Sequence, residues 1–142
     1  MLINENTESV SDTNALRKYA RADFLTFINQ SDQALKTLDS IHVLFPNNSL
    51  EDDILMSKAK IFQKQSNIEK TIEQLNLIVT KHGTDLWGDD AIFMLAEIYE
   101  NNLSNSAKAM EYYQKLITDF PGSLHVTEAR KRFRNLRGDN LG

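Results

Sequence analysis

Two pairs of neighbouring carboxylates, Asp52-Asp53 and Asp89-Asp90, are the residues whose chemistry could serve acid–base catalysis or a metal ion. Each pair stands at the start of a predicted helix, where a carboxylate stabilises the positive end of the helix dipole. His42, His82 and His125 are scattered, with no carboxylate or second histidine at ligand spacing, which is typical of surface or helix-end positions. No Gly-rich phosphate loop, His-Glu-x-x-His or Gly-x-Ser-x-Gly motif occurs. We therefore predict no enzyme, no metal site and no cofactor.

Basic residues near the carboxyl end could bind an anion. Four of them are predicted to share the outward face of a last helix: Arg130, Lys131, Arg134 and Arg137. Val126, Ala129 and Phe133 would face inward, so we interpret the helix as a terminal cap, with an anionic docking patch as the alternative. Outside residues 123–137 the chain holds 11 basic against 19 acidic residues, so we expect no nucleic-acid partner.

Composition bounds the fold class and the environment. Of the 142 residues 41% are hydrophobic and 25% charged, with two prolines and five glycines, which favours a folded all-α domain. The absence of cysteine excludes disulfides and thiolate sites. The longest apolar run, 91–96, is too short to span a bilayer, and the first residues do not resemble a signal peptide. We expect a soluble protein of the cytoplasm or the periplasm, two compartments that the sequence does not separate.

Helical periodicity recurs along the chain at a fixed interval. Small residues stand 37 residues apart in three predicted first helices, at Ala22, Ala59 and Ala96. Each would let a second helix approach closely, giving three antiparallel helix pairs. Ser66-Asn-Ile-Glu69 predicts a capping box for the second helix of the middle pair.

This pattern resembles the tetratricopeptide repeat. In the first helix a small residue is followed three positions later by a large one; in the second helix an alanine is followed four positions later by a large residue, and Pro121 ends the last repeat. The resemblance implies a right-handed α-solenoid. Its predicted divisions are a flexible leader over 1–13, which is a tail or a linker, repeats at about 15–48, 52–85 and 89–122, a cap helix over 123–137, and a tail over 138–142. Arg21 and Lys58 depart from the family by occupying a normally apolar position. The carboxyl end is also similar to that of long bacterial multi-repeat proteins.

In that family the first helices line a concave groove that holds a partner's peptide or helix. The resemblance implies these groove residues: Tyr19, Asp23, Phe27, Asp53, Met56, Lys60, Lys64, Asp90, Phe93, Glu97 and Glu100. Tyr19, Met56 and Phe93 would form an apolar stripe along its floor. Alternatively, these three side chains pack between neighbouring first helices and contact no ligand.

The expected function is that of a non-enzymatic scaffold for a protein or peptide partner. The alternative is a structural segment of a longer array, with further repeats upstream, or a homo-oligomeric module of the bacterial envelope. Trp87 is predicted to pack on the preceding helix, with a partner anchor as the alternative.

Overall fold

The computed structural model describes residues 2–46, 48–82 and 86–138, and in these ranges the regular structure is entirely helical. The helices are α1 (Leu2–Phe27), α2 (Ser31–Leu44), α3 (Glu51–Lys64), α4 (Ile68–His82), α5 (Gly88–Asn101), α6 (Ser106–Asp119) and α7 (Val126–Arg137). The all-α prediction is confirmed.

Helices pair with their neighbours in sequence, and the fold is a helical-repeat solenoid. The most extensive contacts are within the pairs α1/α2, α3/α4 and α5/α6, and α7 packs on α6. The predicted small residues lie at these crossings: Ala22 is 1% exposed, and Ala59 and Ala96 are fully buried. Their partners Thr71 and Ala109 are fully buried as well, so close approach of the two helices is confirmed.

Two junctions connect successive pairs. We call the contact of α2 with α3 the first junction and that of α4 with α5 the second junction; the second is the more extensive. Three apolar clusters follow one another along the chain, formed by α1–α3, by α3–α5 and by α5–α7. Each cluster shares a helix with the next, so the core runs along the solenoid.

Each pair turns through a residue with positive φ. Asn29 (φ 63°), Ser66 (φ 59°) and Ser104 (φ 49°) each stand two residues before the second helix of their pair, α2, α4 and α6. The predicted capping box is therefore wrong in one respect: Ser66 lies in the turn after α3, and the side chain of Asn67 accepts a hydrogen bond from the backbone N–H of Lys70 (3.2 Å).

The ends differ from the predicted divisions. The chain is already helical at Leu2, so the predicted flexible leader is wrong for 2–13, a segment without glycine or proline to interrupt a helix. The cap helix begins at Val126 rather than at residue 123. Residues 83–85 of the middle repeat, and all of the predicted tail after Gly138, lie outside the described residues.

Candidate functional site

The first helices α1, α3 and α5 lie side by side, and α7 takes the fourth place. The hydroxyl groups of Tyr19 on α1 and Ser57 on α3 are 2.8 Å apart and share a hydrogen bond. Side-chain contacts also join α5 to His125, the residue before α7. The residues predicted to line a groove lie on these helices.

The predicted apolar stripe is largely buried. Met56 is 1% exposed and Phe93 is 9% exposed, while Tyr19 is half-buried. The three side chains also belong to three different clusters and do not join into one strip. They pack between neighbouring helices, as in the alternative interpretation, and Met56 and Phe93 present little surface to a partner.

Asp53 binds a side chain of its own chain. The indole Nε1 of Trp87, the residue before α5, donates a 2.8 Å hydrogen bond to the Asp53 carboxylate. The Lys60 ammonium lies 5.1 Å from the centre of the Trp87 ring, within the range of a cation–π contact. Trp87 also packs against the cluster of α3–α5. It therefore joins the second and third helix pairs, as its predicted packing on a preceding helix requires.

Asp90 makes the equivalent contact one repeat later. His125 precedes α7 as Trp87 precedes α5, and its Nε2 lies 2.7 Å from the Asp90 carboxylate. The imidazole stacks on Phe93, with ring centres 4.4 Å apart. Asp53 and Asp90 are 37 residues apart, so the same carboxylate position links successive repeats twice. Two carboxylates predicted to face a partner thus hydrogen-bond to aromatic side chains that stand at helix starts.

Glu100 belongs to a polar network between α5, α6 and α7. It accepts hydrogen bonds from the buried Tyr113 hydroxyl (2.7 Å) and from Arg132 (3.4 Å). Arg132 also donates to Glu128 (2.9 Å). Burial, together with the hydrogen bond to Glu100, raises the pKa of Tyr113, while the hydrogen bond to Glu128 raises the pKa of Arg132. Arg132 therefore stays charged and fixes α7 to α5.

Three charged residues occupy one equivalent position of the first helices. Asp23, Lys60 and Glu97 are 37 residues apart, and we call them the charge row. Asp23 and Lys60 are exposed and Glu97 is half-buried. Burial raises the pKa of Glu97, against the opposing effect of nearby Arg132 and His125.

The remaining predicted groove residues lie towards the ends of α1 and α3. The Lys64 ammonium donates a 2.6 Å hydrogen bond to the Asn29 side chain, across the first and second pairs. Phe27 is 84% exposed, which makes it an apolar surface beside the charge row.

The predicted basic patch is exposed on α7. Arg130, Lys131 and Arg134 are open to solvent, and the Arg137 guanidinium lies 5.2 Å from the centre of the Phe133 ring. Over the described part of the chain, no three His, Asp or Glu residues are placed to hold a metal ion. Within the same residues, no helix is both long and apolar enough to cross a membrane.

The sequence prediction does not include the hydrogen bond of Trp87 to Asp53 or the contacts of His125 and Arg132. Trp87 and His125 could have been found by their shared place before a first helix, since Leu50, Trp87 and His125 precede α3, α5 and α7. Nothing in the spacing pairs Arg132 with Glu100, because that contact depends on how α7 docks.

Comparison with known families finds a match for part of the chain. Residues 90–123, from the first turn of α5 to the turn after α6, match the family described as the tetratricopeptide repeat. No curated protein matches the chain. The similarity of the carboxyl end to long bacterial proteins stays a prediction.

Proposed function

Because residues 90–123 are a tetratricopeptide repeat, we propose that the chain binds a segment of a partner protein along the charge row. A repeat of this family indicates a protein-interaction module, and its helices supply a scaffold whose surface side chains choose the ligand. The described residues contain no group of three His, Asp or Glu side chains placed to hold a metal ion. The family match favours binding as the function of this surface.

The observation that carries the proposal is the alternation of charge along the row. Asp23, Lys60 and Glu97 present negative, positive and negative groups at one position of successive first helices. Packed helices lie about 8–10 Å apart, so these charges recur at roughly that interval. A segment with basic, acidic and basic side chains at matching intervals would be complementary. The raised pKa of Glu97 adds a reason, since a cationic partner group would favour its charged form.

Exposed Phe27 supplies an apolar contact at the amino-terminal end of this surface. A partner that covered this ring would bury apolar area and gain affinity beyond the charge pairs. We therefore expect the bound segment to have an apolar residue beyond the basic group that meets Asp23.

Selection from a random peptide library displayed on phage tests this function without a known partner. The wild-type protein should enrich peptides with alternating basic and acidic residues, and Lys60→Glu should weaken their binding at least about tenfold. Lys36→Glu makes the same charge change at an exposed position of the second helix α2 and should leave binding unchanged. Enriched peptides that bind Lys60→Glu and wild type equally would contradict the proposal.

Assembly is a second candidate function, favoured by the outer face of α1. Phe24 is 57% exposed, whereas its counterparts in the next repeats, Ile61 and Ile98, are 2% and 1% exposed. In those repeats the preceding helix pair covers the position, so another helix pair could cover Phe24. Arg17 and Arg21 nearby would favour an acidic covering surface.

Sedimentation velocity over a concentration series tests this second candidate. Self-association that Phe24→Ser removes would support a homo-oligomer through α1. A chain that stays monomeric at high concentration would contradict it.

A further inference from the structure

A cavity of about 250 Å³ opens at the first junction. Leu38, Ile54 and Leu55 supply apolar walls, and the first two are nearly fully buried. Polar groups stand around them: the Asp39 carboxylate, which pairs with the Lys58 ammonium at 2.8 Å, and the exposed His42. The cavity lies below the usual 300–1,000 Å³ of drug-sized ligand sites, so it fits a single ring or side chain.

The second junction has apolar residues at the same positions. Counting 37 residues on, Val79 replaces His42 and Leu95 replaces Lys58. Leu95 is fully buried, and Val79 packs against two of the apolar clusters. Both side chains are apolar, whereas the first junction has an exposed imidazole and a lysine that pairs with Asp39 at these positions.

An aromatic ring covers the second junction. Tyr112 of α6 packs against the clusters on both sides of α5 and stacks on Tyr99, with ring centres 5.6 Å apart. Its hydroxyl donates a 3.5 Å hydrogen bond to the side chain of Asn76, which is the counterpart of Asp39. The chain thus supplies its own phenol to this position of the repeat.

The first junction has no such ring. The counterpart of Tyr112 is Gln74 of α4, since Leu75 and Tyr113 are equivalent core residues. Gln74 is 7% exposed, and its side-chain oxygen is buried without a hydrogen-bond partner. A shorter, poorly satisfied amide therefore stands where the next repeat has an aromatic side chain.

We propose that the cavity of the first junction binds a phenolic ring from outside the chain. The ring would pack against Leu38, Ile54 and Leu55, and its hydroxyl would donate a hydrogen bond to Asp39. A carboxylate accepts such a bond more strongly than the Asn76 amide does at the second junction. A small phenolic molecule and a tyrosine of a partner share this chemistry, and the experiment below distinguishes the two sources.

This site is separate from the charge row. The charge row lies on first helices, whereas Leu38, Asp39 and His42 belong to the second helix α2. Failure of either proposal would leave the other standing.

Titration of the whole chain with p-cresol, monitored through the NMR chemical shifts of the methyl groups, tests the site. We expect shifts centred on Leu38, Ile54 and Leu55, with a Kd on the order of 1 mM, suited to so small a ligand. N-acetyl-tyrosinamide forms the second arm. If it binds at the same methyls, a partner's tyrosine is accommodated; if only p-cresol binds, the ligand is a free small phenol.

Two variants show whether the shifts report this cavity. Leu55→Trp adds a bulky ring inside the lining, fills the space and should abolish p-cresol binding. Asp39→Asn keeps the shape and should weaken binding roughly tenfold by removing a charged acceptor. Lys36→Leu, on α2 but outside the lining, should bind like wild type.

Absence of methyl shifts in the wild-type protein at 20-fold the expected Kd would overturn the proposal. So would shifts that persist unchanged in Asp39→Asn, a variant at an exposed position that is expected to fold.

Discussion

The two junctions of the solenoid are built on one register and differ at several side chains. Val79, Leu95 and Tyr112 make the second junction apolar and extensive. The equivalent positions of the first junction are polar, and a cavity opens there. The helix pairs themselves are alike, with small residues buried at each crossing.

Packing within each helix pair and packing between successive pairs are therefore determined by different positions of the repeat. Small residues within each pair allow helices to approach, and they are retained in all three repeats. Side chains between pairs decide how much apolar area successive repeats bury. One junction can therefore be closely packed while its neighbour contains a cavity, although both follow the same repeat pattern.

Placing a residue of the first junction at the equivalent position of the second should have the largest effect on the free energy of unfolding. Leu95→Lys places a charge at a fully buried position. The lysine would have no carboxylate to pair with, because Asn76 stands where the first junction has Asp39. We expect a loss of about 3–5 kcal/mol in the free energy of unfolding. Urea denaturation followed by circular dichroism measures this loss, and a loss below 1 kcal/mol would show that the second junction is not closed.

Truncation of matched residues should separate the junctions next. Tyr112→Ala removes a half-buried ring and should cost about 2–4 kcal/mol. Gln74→Ala removes an amide oxygen that has no hydrogen-bond partner, so its effect should stay within about 1 kcal/mol of zero. Equal losses in parallel urea titrations would contradict the assignment of Tyr112 as the covering ring.

The reverse exchange should stabilise the protein modestly. Lys58→Leu adds apolar contact at the first junction, and Asp39, with its side chain 62% exposed, stays solvated after its ion pair is lost. We expect a gain of about 1 kcal/mol. A rise in Tm would be the readout, with Lys36→Leu as the control for replacing an exposed lysine on the neighbouring helix.

The smallest effect on stability concerns the charge row, where Lys60 and Glu97 occupy one position with opposite charge. Burial raises the pKa of Glu97 in the folded state above its ordinary value of 4.5. Below pH 4.5 the Glu97 carboxyl is protonated in both the folded and the unfolded protein. As pH rises through the raised pKa, the folded state loses stability, because deprotonating Glu97 costs more free energy in the folded protein than in the unfolded one. Glu97→Gln should therefore be more stable than wild type at pH 7 and show a smaller difference at pH 4. An unfolding difference that is the same at both pH values would contradict this.

The arrangement within each helix pair was predictable from the sequence, because apolar periodicity and small residues act locally. Ala22, Ala59 and Ala96 are all buried at crossings, as their spacing indicates. The start of α1 was not predictable in this way. Helical periodicity detects only a helix that buries one face, and a polar helical segment lacks that signal.

The candidate site was predicted only in part, because it depends on contacts between repeats. The spacing places Met56 on the groove side of α3, but it does not show that neighbouring helices cover the side chain. The pairing of Asp53 with Trp87 requires the indole to turn towards the preceding repeat. Such directions follow from packing, which a linear spacing does not record.

Native-state amide hydrogen exchange tests the contrast between the junctions most directly. If the first junction is the weaker one, α1 and α2 should open as a unit at a lower free energy than α4, α5 and α6. Lys58→Leu should raise the opening free energy of α1 and α2 while leaving that of α5 and α6 unchanged. Equal opening free energies in all helices, or opening of α5 and α6 first, would contradict it.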